Sequence, residues 1–180
     1  MTLFINACVR EESRTKILAD SVLSKYNDPV TELRLEDVNF EPTTEEYLLR
    51  RDELIAKEKF DDPMFDLARQ FAAADRIVIA APYWDLSFPA VLKEYFEKIN
   101  VVGVTFFYTP DGIPRGLCKA KELIYVATAG GEYVPEEFGF GYVRALAQAF
   151  YGIPDVRLVQ AIGLDIVGAD PEKILQNAMN

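Results

Sequence analysis

The chain has 180 residues, half of them apolar, so its length suits one domain with a substantial core and excludes disorder as its main state. Its 29 acidic residues outnumber 19 basic ones, and the net charge of −10 argues against a nucleic-acid partner, which needs clustered Lys and Arg. Histidine is absent and only two cysteines occur, which excludes His-dependent triads, His-ligated metals, a disulfide framework and a four-cysteine zinc site.

Signals for export or for a membrane are also missing from the sequence. The first residues lack the basic-then-apolar pattern of a signal peptide, and no apolar run approaches the roughly 20 residues of a membrane helix. The acidic residues show no metal-ligand spacing, and Cys8 and Cys118 are interpreted as small buried thiols. We therefore expect a cytoplasmic protein with no metal, no membrane partner and no nucleic-acid partner.

Strand-like and helix-like patterns alternate along the whole chain. In chain order they predict a strand at 2–6, a helix at 13–26, a strand at 30–35, a strand at 76–81, a helix at 89–99, a strand at 123–128, a helix near 140–151, a strand at 156–162 and a helix at 171–178. Continuous apolar strands between amphipathic helices indicate a parallel sheet that is covered on both faces. Five such strands fit the doubly wound order 2-1-3-4-5, which is an inference from fold class because periodicity does not give strand order.

Two segments enlarge this single domain, which we take to span residues 1–180. Residues at about 43–71 predict two helical stretches with a break near Asp61-Asp62-Pro63, and their charges are interpreted as a solvated face. Residues at about 103–117 predict an extended excursion with a turn, which is typical of a hairpin.

The loop after the first predicted strand places positive charges at an unusual position. Ser13 is a good N-cap, yet Arg14 and Lys16 follow it at the positive end of the helix dipole, where carboxylates are preferred. A bound anion would resolve the conflict, held by backbone N–H groups and by the hydroxyls of Ser13 and Thr15. The alternative is an ordinary cap whose cations pair with nearby acids, namely Glu11, Glu12 and Asp20. The loop has neither the dinucleotide-binding glycine motif nor the P-loop motif.

The loops after the third and fourth strands have compositions that suit a ligand. Tyr83 and Trp84 lie between Pro82 and Pro89, so this loop is stiff and able to line a flat ring. After the fourth strand, a Gly130-Gly131 pair lets the backbone approach a ligand closely. The alternatives are aromatic side chains that merely close the core, and a plain glycine turn. Together the three loops favour a ligand site, because ligands bind at the carboxyl ends of strands in open parallel sheets.

Five stretches carry a resemblance to a known family, and most of them fall within about fifty residues: Ile79-Ala80-Ala81-Pro82-Tyr83-Trp84-Asp85, residues 89–96, residues 103–109, Gly116-Leu117 and Thr128-Ala129-Gly130-Gly131. The chain resembles the FMN-dependent NADH-azoreductases and related NAD(P)H–quinone oxidoreductases of the flavodoxin-like superfamily. The resemblance implies a flavodoxin-like fold, a tightly bound FMN and a homodimer with active sites at the subunit boundary.

The same resemblance implies a ping-pong oxidoreductase. A hydride would pass from NADH or NADPH through the flavin to a quinone, nitro- or azo-aromatic acceptor, with the flavin rather than a side chain carrying the chemistry. A flavodoxin-type electron carrier, or an FMN-binding module with slow turnover, is the alternative.

Matching this chain to the family residue by residue implies a set of site residues. The phosphate would be held by Arg10, Ser13, Arg14 and Thr15. The ring would lie along Pro82, Tyr83, Trp84, Asp85 and Leu86, with Thr128, Ala129, Gly130 and Gly131 at its pyrimidine edge. Phe106, Tyr108 and Tyr133 would line the substrate pocket.

Three stretches depart from the family pattern. Tyr83-Trp84-Asp85-Leu86 stands where the family usually has Met-Tyr-Asn-Phe, Thr128-Ala129-Gly130-Gly131 stands where it usually has Ser-Arg-Gly-Gly, and the first serine of the phosphate loop is replaced near Ala7 or Cys8. Asp85 stands where the family usually has Asn, and a carboxylate there would disfavour negative charge on the reduced ring unless its side chain points away. Ala129 stands where the family usually has Arg, so one cation is missing.

Overall fold

The computed structural model describes all residues from Met1 to Asn180. Its strands are β1 (Thr2–Asn6), β2 (Val30–Arg34), β3 (Arg76–Ala80), β4 (Phe106–Tyr108), β5 (Pro114–Gly116), β6 (Glu122–Thr128) and β7 (Asp155–Ala161). Its α-helices are α1 (Arg14–Leu23), α2 (Glu45–Ala56), α3 (Asp66–Ala73), α4 (Ala90–Ile99), α5 (Phe140–Leu146) and α6 (Pro171–Met179). Every predicted strand and helix is present, with ends that shift by one to three residues for most elements.

Five strands form one parallel sheet in the order β2-β1-β3-β6-β7. When the hairpin strands β4 and β5 are left out of the numbering, this is the order 2-1-3-4-5, so the predicted doubly wound fold is confirmed. The central strands β1, β3 and β6 are buried on both faces, which explains their continuous apolar sequences. The edge strand β2 is largely exposed, in agreement with its alternating sequence.

Two apolar clusters form the core, one on each face of the sheet. Because successive side chains of a strand point to opposite faces, β3 contributes Ile77 and Ile79 to one cluster and Val78 and Ala80 to the other. The larger cluster lies under α3, α4 and α5, and the smaller lies under α1 and α6. The parallel strands therefore all present their carboxyl ends at the same edge, between these two helical layers.

A buried lysine fastens the α2 region to the domain. Lys98, in the last turn of α4, is almost fully buried; its Nζ donates hydrogen bonds to the Glu41 carbonyl at 2.6 Å and to Thr43 Oγ1 at 2.9 Å. The same ammonium lies 3.8 Å from the ring centroid of Tyr47, in α2. Since burial disfavours the charged form, the pKa of Lys98 is lowered. The break between α2 and α3 contains a short 3₁₀ turn at Pro63–Phe65.

Strands β4 and β5 pair antiparallel as a hairpin that packs on the end of α5. A Cβ atom at Gly116 would lie 2.1 Å from the Tyr151 carbonyl carbon, so this contact requires glycine. The chain leaves α5 through a π-helical turn, Ala147–Tyr151, and Gly152 follows with a φ of 72°. None of the helices combines the length and the apolar character that a membrane span requires.

Candidate functional site

A cavity of about 490 Å³ opens at the carboxyl ends of β1, β3, β6 and β7. This volume lies in the range of about 300–1,000 Å³ that is usual for small-molecule sites. Most residues predicted to hold a cofactor line it together, namely Arg10, Ser13, Arg14, Thr15, Pro82, Tyr83, Trp84, Thr128, Ala129 and Gly130. The structure thus brings the three predicted loops around one space.

Three predicted cofactor residues, Asp85, Leu86 and Gly131, do not line the cavity. Asp85 and Leu86 form the tip of a two-residue turn, in which Trp84 and Ser87 exchange backbone hydrogen bonds of 2.9 and 2.8 Å. Both tip residues have positive φ, 50° and 69°, the backbone of a type I′ turn that usually selects Asn-Gly. The Asp85 carboxylate therefore sits on a turn at the rim rather than inside the cavity.

The predicted substrate residues also lie outside the cavity within one chain. Phe106 is buried in the hairpin, with its ring centroid 4.7 Å from that of Phe150. Tyr108, on the same hairpin, is 51% exposed, and Tyr133, in the loop after β6, is 77% exposed. Their role toward a substrate stays a prediction, and for the hairpin it depends on a second subunit.

The start of α1 supplies hydrogen-bond donors to the cavity. Ser13 is the N-cap, and its Oγ accepts the N–H of Lys16 at 3.3 Å. The N–H groups of Ser13, Arg14 and Thr15 donate no hydrogen bond within the chain, as expected for a helix N-terminus. These donors and the partial positive charge of the helix dipole favour an anion at this wall of the cavity.

The cations near α1 support both interpretations of this loop, the anion site and the ordinary helix cap. Lys16 pairs with Asp20 at 2.6 Å, which is the ordinary arrangement considered as the alternative. Arg14 instead pairs with Asp165 at 2.8 Å, a residue far along the chain. Arg10 lines the cavity and forms no ion pair, so its guanidinium remains available to a ligand.

In the loop after β6 the backbone carbonyl groups are hydrogen-bonded within the chain, whereas the N–H groups of its glycines are not. The carbonyls of Ala129, Gly130 and Gly131 accept hydrogen bonds of 3.2, 2.9 and 3.0 Å from the loop that follows β7. The N–H groups of Gly130 and Gly131 donate none within the chain. A Cβ atom at Gly130 would lie 2.3 Å from Asp165 Oδ2. Glycine at 130 thus makes room for the β7 loop, while the free N–H groups stay available to a ligand.

Reasoning from the sequence missed four cavity residues, namely Val9, Glu12, Leu164 and Asp165. Leu164 and Asp165 belong to the loop after the last strand, where Gly163 and Gly168 both have positive φ. The rule that ligands bind at the carboxyl ends of parallel strands applies to β7 as well as to β1, β3 and β6. A Gly-Leu-Asp sequence directly after the fifth strand was therefore the available signal.

Tyr83 forms a wall between the main cavity and a recess of about 100 Å³. Its hydroxyl is buried and has no hydrogen-bond partner. Such a hydroxyl is unusual, because buried polar groups are normally paired.

At Cys8, just below the α1 turn, burial raises the pKa of the thiol, so it stays protonated at neutral pH.

Comparisons with known proteins match nearly the whole chain. A family model described as the flavodoxin-like fold, Flavodoxin_2, matches residues 1–180. The chain is 37% identical over 182 residues to an FMN-dependent NADH:quinone oxidoreductase of Coprothermobacter proteolyticus, covering 94% of this chain and 88% of that protein. It is 38% identical over 189 residues to FMN-dependent NADH:quinone oxidoreductase 2 of Clostridium acetobutylicum, covering 98% and 93%.

Solved structures give the same result at lower identity. A crystal structure of azoreductase from Bacillus anthracis has a TM-score of 0.83 at 27% identity, covering 99% of this chain and 94% of that one. An FMN-dependent NADH-azoreductase from Bacillus anthracis, in complex with FMN, has a TM-score of 0.81 at 26% identity, covering 99% and 93%.

Proposed function

The chain belongs to the Flavodoxin_2 family of flavodoxin-like proteins, and we propose that it is an FMN-dependent NADH:quinone oxidoreductase of the azoreductase type. The resemblance noted in residues 79–131 is thereby confirmed. One structural observation carries the proposal: the loops after β1, β3 and β6 meet at a single cavity with unpartnered donors at one wall and aromatic side chains at another. The relatives named above, at 37% and 38% identity, are named for this activity.

The cavity fits FMN at the end that would receive the phosphate. The free N–H groups of Ser13, Arg14 and Thr15 and the unpaired guanidinium of Arg10 are suited to a dianion. We propose that these residues hold the phosphate. Thr15 contributes further by orientation, because its Oγ1 lies 2.6 Å from Thr128 Oγ1 and fixes the helix start to the end of β6.

The opposite side of the cavity fits a flat ring. Pro82 restricts the backbone, and Tyr83 and Trp84 place aromatic surface at the wall, with Trp84 39% exposed. Gly130 and Gly131 carry N–H groups without partners. We propose that the ring lies along the 82–84 segment, and that these N–H groups face its pyrimidine edge and stabilise negative charge there.

When bound in this cavity, FMN would supply the chemistry of hydride transfer between the nicotinamide and the acceptor. The chain binds and orients the reacting rings, and no side chain is needed as a general base. Of the ionisable residues at the cavity, Arg10 and Arg14 are cations and Glu12 and Asp165 are carboxylates. Trp84 and Gly130 line the cavity and would exclude water from the face of the bound ring that they cover.

The homodimer is part of the same proposal. The β4–β5 hairpin exposes the apolar side chains of Phe107, Tyr108 and Ile113. Scattered exposed apolar residues are common on protein surfaces, but several of them on one element indicate a contact surface. We propose that a second copy covers this hairpin and receives Tyr108 near its own cavity. Size-exclusion chromatography with light scattering tests this, since a monomeric mass at micromolar concentration would contradict it.

A cytoplasmic location also belongs to the proposal. Cys8 and Cys118 are both free and buried, as is usual for proteins of a reducing compartment, and the NADH donor is an intracellular reductant.

A spectrum and a turnover assay test the proposed activity. We expect the purified protein to be yellow, or to become so with micromolar FMN, and NADH to bleach it without oxygen. Steady-state oxidation of NADH with benzoquinone then separates a reductase from an electron carrier, which does not support this turnover alone. A protein that remains colourless after incubation with FMN would contradict the proposal.

A further inference from the structure

We propose that Asp165 is a positioning residue that restrains the electrostatic attraction of the cavity for its ligand. Its negative charge weakens the binding of FMN and opposes the gain of negative charge when the ring is reduced. This inference rests on the proposed function, because it assumes that the cavity holds FMN.

The carboxylate of Asp165 is held in place by contacts from two loops. Its backbone N–H donates to the Gly130 carbonyl at 2.9 Å, and its Oδ1 accepts from Arg14 Nη1 at 2.8 Å. Its Oδ2 occupies the space that a Cβ atom at Gly130 would need. Asp165 therefore lies between the α1 turn, proposed for the phosphate, and the Gly130 loop, proposed for the ring.

The charges that line the cavity indicate how this carboxylate affects the binding of an anionic ligand. Arg10 and Arg14 are balanced by Glu12 and Asp165, so the ionisable side chains at the wall sum to zero. A cavity for a dianionic ligand gains affinity from excess positive charge, which this one lacks. Because Asp165 is the ion-pair partner of Arg14, it both adds a negative charge and occupies the guanidinium.

The sequence suggested that the carboxylate of Asp85 would disfavour negative charge on the reduced ring. We assign this effect to Asp165 instead. Asp85 is displaced to the tip of the rim turn and does not line the cavity, whereas Asp165 lines it beside the unpartnered N–H groups of the Gly130 loop. A carboxylate at this place opposes the stabilisation that those N–H groups give to a negatively charged ring.

The size of the effect follows from solvent exposure. The side chains of Arg14 and Asp165 are 44% and 68% exposed, so solvent screens their charges considerably. Interactions at this exposure change equilibria by about two- to fivefold rather than by orders of magnitude. They also weaken with salt, because the screening length falls from about 30 Å at 0.01 M to about 3 Å at 1 M ionic strength.

Binding of FMN to the apoprotein of charge-altered variants tests the inference. Asp165→Asn keeps the shape and removes the charge, and Asp165→Glu keeps the charge. Asp155→Asn is the matched control, because Asp155 begins β7, at the end of the strand remote from the Asp165 loop, and pairs with Arg157 at 3.6 Å and similar exposure. The dissociation constant is measured from quenching of FMN fluorescence at 0.01 M and at 1 M salt.

We expect Asp165→Asn to bind FMN about two- to fivefold more tightly than the unmodified chain at low salt, with the difference lost at 1 M salt. Asp165→Glu should stay near the unmodified chain, and Asp155→Asn should equal it. At equilibrium with a reference dye, Asp165→Asn should also raise the ratio of reduced to oxidised flavin severalfold. A tenfold rise corresponds to about 30 mV for a two-electron couple.

Three results would overturn the inference while leaving the proposed function intact. They are an unchanged affinity for Asp165→Asn, a weaker affinity, and a tighter affinity that persists at 1 M salt, which would indicate a change in packing rather than in charge. If neither the unmodified chain nor Asp155→Asn binds FMN, the proposed function itself fails, and this inference fails with it.

Discussion

Thr15 and Thr128 meet through a hydrogen bond of 2.6 Å between their hydroxyl oxygens. Thr15 lies in the first turn of α1 and Thr128 ends β6, so the contact joins two loops of the site across β3. Both side chains are buried, and the bond fixes the distance between the donors at the helix start and the Gly130 loop.

The pair predicts a non-additive effect on stability. Thr15→Val or Thr128→Val removes one hydroxyl and leaves the other buried without a partner, which should lower the free energy of unfolding by about 1–3 kcal/mol. The double substitution removes both polar groups and should cost less than the sum of the single ones. Urea unfolding of the four proteins measures the coupling. A strictly additive result would mean that the two hydroxyls do not depend on each other.

The rim turn predicts a stabilising substitution. Leu86 has a φ of 69°, a left-handed backbone that costs an L-residue about 1–2 kcal/mol and glycine almost nothing. Leu86→Gly should therefore raise the free energy of unfolding by about 1 kcal/mol. The control is Leu49→Gly, an exposed leucine inside α2, which should lower it by about 1 kcal/mol. If both substitutions destabilise, the turn does not strain Leu86.

The hairpin contact predicts that two glycines respond very differently to alanine. Gly116→Ala places a Cβ atom 2.1 Å from the backbone of Tyr151, which cannot move as a flexible side chain would. We expect a loss of about 3 kcal/mol or more in the free energy of unfolding. Gly131→Ala, with open space around its Cβ position, should change it by less than about 0.5 kcal/mol. Thermal unfolding of both variants checks this, and equal losses would contradict the packing of the hairpin on α5.

Buried acids of high pKa predict how stability depends on alkaline pH. Burial raises the pKa of Cys118 from 9.0 to about 12, and it also raises the pKa of Tyr95 and Tyr151 above 10.0. The unfolded chain loses these protons at lower pH than the folded chain does. Their contribution to stability is therefore complete below about pH 9 and is lost progressively as pH rises from 9 towards 12.

Urea midpoints between pH 8 and pH 11.5 measure this loss, and Cys118→Ala is the control that removes the thiol. In that variant the loss between pH 9 and pH 10 should be smaller but not absent, because burial also raises the pKa of Cys8, which remains in the chain. The absorbance due to the buried tyrosines should rise only together with unfolding. Ionisation of all nine tyrosines while the chain is still folded would contradict the burial of Tyr95 and Tyr151.

Sequence patterns were sufficient to predict the central strands of the sheet, since β1, β3 and β6 are buried on both faces and have unbroken apolar sequences. The loops after these strands could be found for the same reason, because the carboxyl end of each strand fixes the place of the loop. The Lys16–Asp20 pair was also within reach, as residues four apart on one helix are neighbours.

The partner of Arg14 could not be found this way. Asp165 is 151 positions distant, and the contact exists only because the α1 turn and the β7 loop reach the same edge of the sheet. The Gly-Leu-Asp sequence after the fifth strand indicates that Asp165 lies near the cavity, but nothing local in the sequence indicates that it pairs with Arg14. Asp85 was misleading for the opposite reason, since its neighbourhood in sequence suggests the ring while the turn carries it to the rim.

The hydrogen bonds from Gly163, Leu164 and Asp165 to the 129–131 carbonyls make the last part of the chain a support for the site. Deleting residues 163–165 would remove three backbone donors from the glycine loop, although no residue of that loop would be lost. Shortening the chain from its carboxyl end should therefore weaken cofactor retention first when α6, which covers the smaller core cluster, is removed, and abolish it once this triplet is gone.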